Sequence, residues 1–110
     1  MSEFKFIDLF SGIGGFRIPL EKLGGKCVGY SEIDKHAIDV YKQNFDTNNE
    51  TFLGDITKVK KTPKADLIVG GVPCQAWSVA GKKKGFDDPR GKLWKDTIRL
   101  IRINKPKTFI

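Results

Sequence analysis

The apolar positions switch between two periods along the chain. Phe4-Lys5-Phe6-Ile7-Asp8-Leu9-Phe10 mixes two-residue alternation with a short apolar run and predicts a strand. Ser11-Gly12-Ile13-Gly14-Gly15 follows, then Phe16, Leu20 and Leu23 at helical spacing. The prediction is strand, glycine turn, helix. Pro19 is tolerated only within a first helical turn, so this helix starts late or kinks there. Gly24-Gly25 ends it. Lys26 to Glu32 reads as a second strand, and Asp34 caps a helix whose Ala37, Ile38, Tyr41 and Phe45 form one apolar face. Asp46-Thr47-Asn48-Asn49 is a turn, and Thr51-Phe52-Leu53 a short third strand closed by Gly54-Asp55-Ile56. A linker containing Lys58, Lys60, Lys61, Pro63 and Lys64 leads into the fourth strand, Asp66-Leu67-Ile68-Val69, which ends in Gly70-Gly71. Residues 79–91 read as a long loop of the kind that often serves as a lid. A helix is predicted from Lys92, with Leu93, Trp94, Ile98, Leu100 and Ile101 on one face and Lys95, Arg99 and Arg102 on the other. Pro106 to Ile110 reads as the opening of a fifth strand.

Strands alternating with helices predict an α/β fold, a doubly wound, mostly parallel sheet with right-handed crossovers. Such sheets bind ligands beyond the carboxyl ends of their strands. The glycine turn, Glu32, Asp55 and Cys74 all fall at strand carboxyl ends. One rim therefore collects every candidate for chemistry.

Composition narrows the class. The 110 residues suit one domain, and an apolar fraction of 39% with 30% charged residues reads as soluble and globular. No apolar run approaches the roughly 20 residues of a membrane span. The N-terminus lacks the regions of a signal peptide, so a cytoplasmic location is the default. The formal net charge of +7 points to a polyanionic partner, set against the plainer reading of solvated lysines. Lys82, Lys83, Lys84, Arg90, Lys92 and Lys95 cluster after Cys74. Two cysteines without paired spacing and one histidine support neither a disulfide framework nor a zinc site, and no metal is expected.

Each candidate has a structural alternative. Gly12-Ile13-Gly14-Gly15 lets a ligand approach the backbone, but Arg17 occupies the place of a dinucleotide fingerprint's third glycine. A purely structural turn remains open there. Glu32 can accept hydrogen bonds from ribose hydroxyls or be a solvated strand-end carboxylate. Asp55 can accept from an adenine amino group or cap a short helical turn. Cys27, inside a strand, reads as a small buried hydrophobe, and His36 as a surface residue. Cys74 differs: Gly70-Gly71-Val72-Pro73-Cys74-Gln75 presents it at a strand mouth, before a basic stretch, as a nucleophile facing an anionic substrate.

Taken together, Asp8-Leu9-Phe10-Ser11-Gly12-Ile13-Gly14-Gly15-Phe16, Glu32-Ile33-Asp34, Gly54-Asp55-Ile56 and Pro73-Cys74-Gln75 stand in the order found in the DNA (cytosine-5)-methyltransferases. Gly81 to Gly91 also resembles that family's mobile catalytic loop. The resemblance spans residues 1–110 as the N-terminal part of a catalytic domain, in a sheet of the S-adenosylmethionine-dependent type cut off after about five strands.

The resemblance implies S-adenosylmethionine as methyl donor and S-adenosylhomocysteine as product. Phe10 would pack on adenine, and the turn with Ser11, Gly12, Gly14 and Gly15 would approach the methionine portion. Glu32 would hold the ribose, Ile33 would cover the adenine, and Asp55 with Ile56 would read its edge. Pro73 and Leu93 would line the pocket. Cys74 would attack carbon-6 of a cytosine flipped out of double-stranded DNA, making carbon-5 nucleophilic. Ser78, Lys82, Lys83, Lys84 and Arg90 would contact phosphate or support the loop. The usual setting of the family is restriction–modification.

Phe109-Ile110 stops just short of the family's Glu-Asn-Val motif, and a target-recognition region is not among the residues. The expectation is a fragment, or one half of a split enzyme whose partner chain carries the rest, inactive by itself. A non-catalytic remnant binding S-adenosylmethionine or DNA is the alternative, and a generic nucleotide-binding module a weaker one.

Overall fold

The computed structural model describes residues 3–70 and 89–109, the side chains of residues 89–94 excepted. Five strands form one sheet: β1 (Phe4–Leu9), β2 (Gly25–Tyr30), β3 (Thr51–Phe52), β4 (Leu67–Gly70) and β5 (Thr108–Phe109). Their order is β3-β2-β1-β4-β5, with every pairing parallel. Helices α1 (Arg17–Lys22), α2 (Lys35–Asn44) and α3 (Pro89–Asn104) connect them, and a 3-10 turn (Ile56–Lys58) lies between β3 and β4. The alternating pattern thus becomes the α/β sheet it predicts.

β1 is central and buried on both faces. Side chains alternate across a strand, so Phe6 joins Cys27, Tyr30 and Tyr41 in one cluster. Ile7 and Leu9 join Ile56, Val59, Ala65, Ile68 and Leu100 in the other. After β1 the chain continues to β2 on one side, while β4 pairs on the other, with Leu9 opposite Gly70. This reversal opens a crevice at the carboxyl ends of β1 and β4.

Three details correct the sequence reading. Helix α3 begins at Pro89, not Lys92, because proline suits the first helical position, where no amide hydrogen is needed. Part of the predicted loop is therefore helix, including Arg90. The buried face of α3 carries Thr97, Leu100 and Asn104, while Ile98 is exposed and Arg99 is turned inward onto main-chain carbonyls. In α1 the side chain packed inward is Arg17; Phe16 and Leu23 stay exposed and Leu20 is half-buried. An arginine takes the interior position because the Tyr41 hydroxyl and the Glu50 carboxylate accept its hydrogen bonds there.

Candidate functional site

The end of β1 is shaped by its neighbour. Ser31, just past β2, donates its amide to the Asp8 carbonyl (2.9 Å) and accepts the Ser11 amide on its own carbonyl (2.8 Å). Its hydroxyl oxygen accepts the Phe10 amide (3.0 Å). These three bonds force the chain out of strand geometry at Phe10, which adopts a left-handed φ of 52°. A bulky residue in that region is strained and persists only when its surroundings hold it. Ser31 is buried and escaped the sequence reading. The available signal was a hydroxyl residue directly before Glu32.

Gly12 and Gly14 carry the turn through φ values of 55° and 99°. At Gly14 an added Cβ would collide with the Phe45 ring, whereas at Gly12 and Gly15 no atom of the described residues lies within 4 Å. The turn is therefore packed from beneath and open above. Glu32 closes its side. One carboxylate oxygen accepts the Gly12 amide (2.8 Å), and the other accepts the amides of Ile33 and Asp34 (3.0 Å each). Glu32 is thus no freely solvated strand-end acid, and the structure brings it directly against the glycine turn. Beside it Ile33 is 73% exposed, an apolar side chain standing at the rim with no cover. Ser11 is buried, and its hydroxyl has no hydrogen-bond partner among the described residues.

Asp55 lies at the same rim beyond β2. Its carboxylate accepts the Thr57 hydroxyl (2.8 Å) and amide (3.0 Å), capping the 3-10 turn. Those two bonds, the hydroxyl first, hold its pKa below the ordinary value. The capping alternative is realised here, and both described bonds fall on one carboxylate oxygen, so the other has no partner among the bonds described. Ile56 is 3% exposed and sits in the core, and its carbonyl accepts from Arg99 (2.8 Å), so its side chain and carbonyl are both taken up by the fold.

Beneath the glycine turn lies a buried polar network that no local pattern along the chain announces. Arg17 grips Glu50 with both terminal nitrogens (2.8 and 2.6 Å), Glu21 with Nε (2.6 Å), and donates to the Tyr41 hydroxyl (3.0 Å). Tyr41 in turn donates to Asp8 (3.0 Å). The guanidinium also stacks on Phe45, 4.6 Å from its centroid, and Phe45 is the ring that supports Gly14. Burial pushes the Asp8 carboxyl up to about 6, against the opposing pull of Tyr41 and Arg17. Burial likewise pushes the Cys27 thiol up to about 12, which makes it an inert core residue as expected. His36 is exposed.

Pro73, Cys74, Ser78, Lys82, Lys83 and Lys84 lie outside the described residues. Arg90 and Leu93 fall within α3, where only the backbone is described. Of the proposed cofactor positions, Phe10, Ser11, Gly12, Gly14, Gly15, Glu32 and Ile33 form one contiguous group; Asp55 and Ile56 follow β3 on the same edge of the sheet.

Comparison with known proteins places this geometry. The model of the C-5 cytosine-specific DNA methylase family matches residues 4–110. Type II methyltransferase M.HgiCII of Herpetosiphon aurantiacus is 63% identical over 111 residues, covering 100% of this chain and 25% of its own length. Type II methyltransferase M.HhaI of Haemophilus parahaemolyticus is 49% identical over 109 residues, covering 97% of this chain and 32% of its own. Among solved structures, one assigned as a prophage-encoded DNA modification methyltransferase (E. coli) superposes with a TM-score of 0.74 at 29% identity, covering 94% of this chain and 30% of that one. A TehB-like SAM-dependent methyltransferase from Corynebacterium glutamicum shares the fold, with a TM-score of 0.59 at 22% identity over 92% of this chain and 48% of its own. The chain spans a quarter to a third of the length of these curated relatives.

Proposed function

Because the chain belongs to the C-5 cytosine-specific DNA methylase family, we propose that it supplies the S-adenosylmethionine site and the cysteine nucleophile of a DNA cytosine-5 methyltransferase. The observation that carries this reading is the hydrogen bond from the Gly12 amide to Glu32. It joins a glycine turn to an acid at an open sheet rim, the pairing a nucleoside-bearing ligand needs. The residues fit the cofactor. Open space above Gly12 and Gly15 admits a ligand close to the backbone. The partnerless Ser11 hydroxyl offers a hydrogen bond, and exposed Ile33 offers apolar cover for a base. Glu32 would accept from the ribose hydroxyls with its remaining lone pairs, and Asp55 from an adenine amino group. Phe10, Pro73 and Leu93 complete the lining in this reading.

The cofactor supplies an electrophilic methyl group. Carbon-5 of cytosine is too weak a nucleophile to take it unaided. In the proposed step the Cys74 thiolate bonds to carbon-6, and the displaced π electrons make carbon-5 nucleophilic. After methylation, loss of the carbon-5 proton returns an electron pair to the ring and expels the thiolate. The target base must leave the duplex for this attack, and Ser78, Lys82, Lys83, Lys84 and Arg90 are assigned to holding the DNA while it does. None of these residues is assigned to sequence readout or to the family's Glu-Asn-Val motif.

Calorimetric titration with S-adenosylmethionine tests the cofactor assignment. The chain is expected to bind it, and Glu32→Gln to weaken binding by about tenfold, or ~1.4 kcal/mol. Undiminished binding by Glu32→Gln would remove the central contact. By itself the 110-residue chain is expected to bind cofactor without methylating DNA; methylation by the purified chain would refute that expectation.

A further inference from the structure

The amino edge of the sheet, opposite the cofactor rim, carries a basic face assembled from two segments about forty residues apart. The loop before β4 contributes Lys60, Lys61 and Lys64, and the end of α3 with the approach to β5 contributes Arg102, Lys105 and Lys107. All six are exposed. Residues 60–66 and 102–109 contain only one acid, Asp66, whose carboxylate accepts the Lys5 amide at 3.0 Å.

Specific bonds make the two segments one surface. Buried Asn104 donates its side-chain amide to the Thr62 hydroxyl and the Pro63 carbonyl, both at 2.7 Å. Lys64 donates back to the Asn104 carbonyl at 2.8 Å. One turn earlier, Arg99 donates to the carbonyls of Ile56 and Val59. The loop is laced along the helix, so its lysines stand beside those that follow the helix. Lys64 also neutralises the negative end of α3; the other five cations have no such duty in the bonds described.

The opposite half of the same edge has the other sign. Near the start of β2 a polar pocket of about 330 Å³ is lined by four acids, Glu3, Glu21, Asp46 and Glu50, against two cations, Arg17 and Lys26. The basic half is therefore a localised feature and not a uniform coat of lysine. Helix α3 runs from rim to amino edge, and its sixteen residues span about 24 Å. A duplex held at the catalytic rim would need a separate stretch of phosphates to reach this face.

We propose that this face is an accessory, sequence-independent contact for the phosphate backbone of duplex DNA, built from other residues than the Lys82–Lys84 run of the sequence. Exposed lysines without buried anchors suit phosphate neutralisation, which positions a protein on DNA without reading sequence. The contact would keep the enzyme on DNA between target encounters. The inference goes beyond the methyl-transfer reading and does not need the cofactor site to be correct.

The test is duplex binding by fluorescence anisotropy, with an arbitrary labelled duplex, across about 50–200 mM salt. Lys60→Gln/Lys61→Gln and Lys105→Gln/Lys107→Gln are compared with Lys22→Gln/Lys26→Gln, which removes the same charge from the acidic half. The two variants of the basic face should bind severalfold more weakly and flatten the slope of log K against log salt by about 0.9 per lost contact. The control pair should leave the slope unchanged. An equal loss in all three variants, an unchanged slope in both basic-face variants, or no salt-dependent duplex binding by the unmodified protein would overturn the proposal. All substitutions are at exposed positions, and either basic-face variant alone suffices if the other misfolds.

Discussion

Gly12, Gly14 and Gly15 separate two demands that a sequence motif merges. Gly15→Ala meets no neighbour within 4 Å among the described residues, so melting temperature should stay near wild type while S-adenosylmethionine affinity falls at least severalfold. Gly14→Ala should instead fail by destabilisation, since its Cβ collides with the ring of Phe45 and its φ is 99°. Equal melting temperatures for the two variants would contradict the geometry. Asp8 offers a test by pH. Its carboxyl is raised from 3.8 to about 6, so the folded state holds a proton more tightly than the unfolded state. The resulting stability is fully present below about pH 4 and is lost as pH rises through about 6. Asp8→Asn removes this dependence. Relative to the variant, wild type should lose ~3 kcal/mol between about pH 4 and pH 7 in denaturant titrations. Parallel stability curves would mean that Asp8 is not held in its buried, raised state.

At the scale of elements, polar side chains decide how helices seat on the sheet. Arg17 draws α1, α2 and the loop before β3 together through Glu21, Tyr41 and Glu50. Arg17→Met leaves the buried Glu50 carboxylate, 7% exposed, without its cation. The expected cost is about 3–5 kcal/mol, with much of it recovered in the double variant Arg17→Met/Glu50→Leu. A double variant no more stable than the single would argue against pairing as the cause. This network also shows why part of the site was not legible. Arg17 registered in the sequence only as the residue that broke a glycine fingerprint, because its partners are 4, 24 and 33 positions away. Ser31 was hidden for a related reason, since its role is to bend β1 from a neighbouring strand. Hydrophobic spacing placed α1 correctly but misjudged its buried face for the same cause. Local signals fared better: Asp34 caps α2 as its position before that helix predicts, accepting the amides of His36 and Ala37.

For the whole molecule, strand order gathers the glycine turn, Glu32 and Asp55 at one edge of the sheet. The alternation of strands and helices was enough to predict a parallel sheet and a shared rim for the glycine turn, Glu32 and Asp55, whereas Cys74, predicted for the same rim, lies outside the described residues. Parallel pairing on both sides of β1 then sets the first β1 turn beside the end of β4, from which the Cys74 segment departs. The charge distribution was only half visible. The lysines after Cys74 form a run in the sequence, whereas the basic amino edge exists only because Asn104 and Arg99 fasten a distant loop to α3. The central claim is that this segment carries both the cofactor site and the nucleophile. Its most direct test follows labelled methyl transfer from S-adenosylmethionine to cytosine in duplex DNA, by the enzyme that unites this chain with the segments its relatives possess. Cys74→Ser should reduce transfer to background while S-adenosylmethionine affinity remains within about twofold of wild type, a difference under ~0.5 kcal/mol. Methyl transfer undiminished in Cys74→Ser would contradict the account.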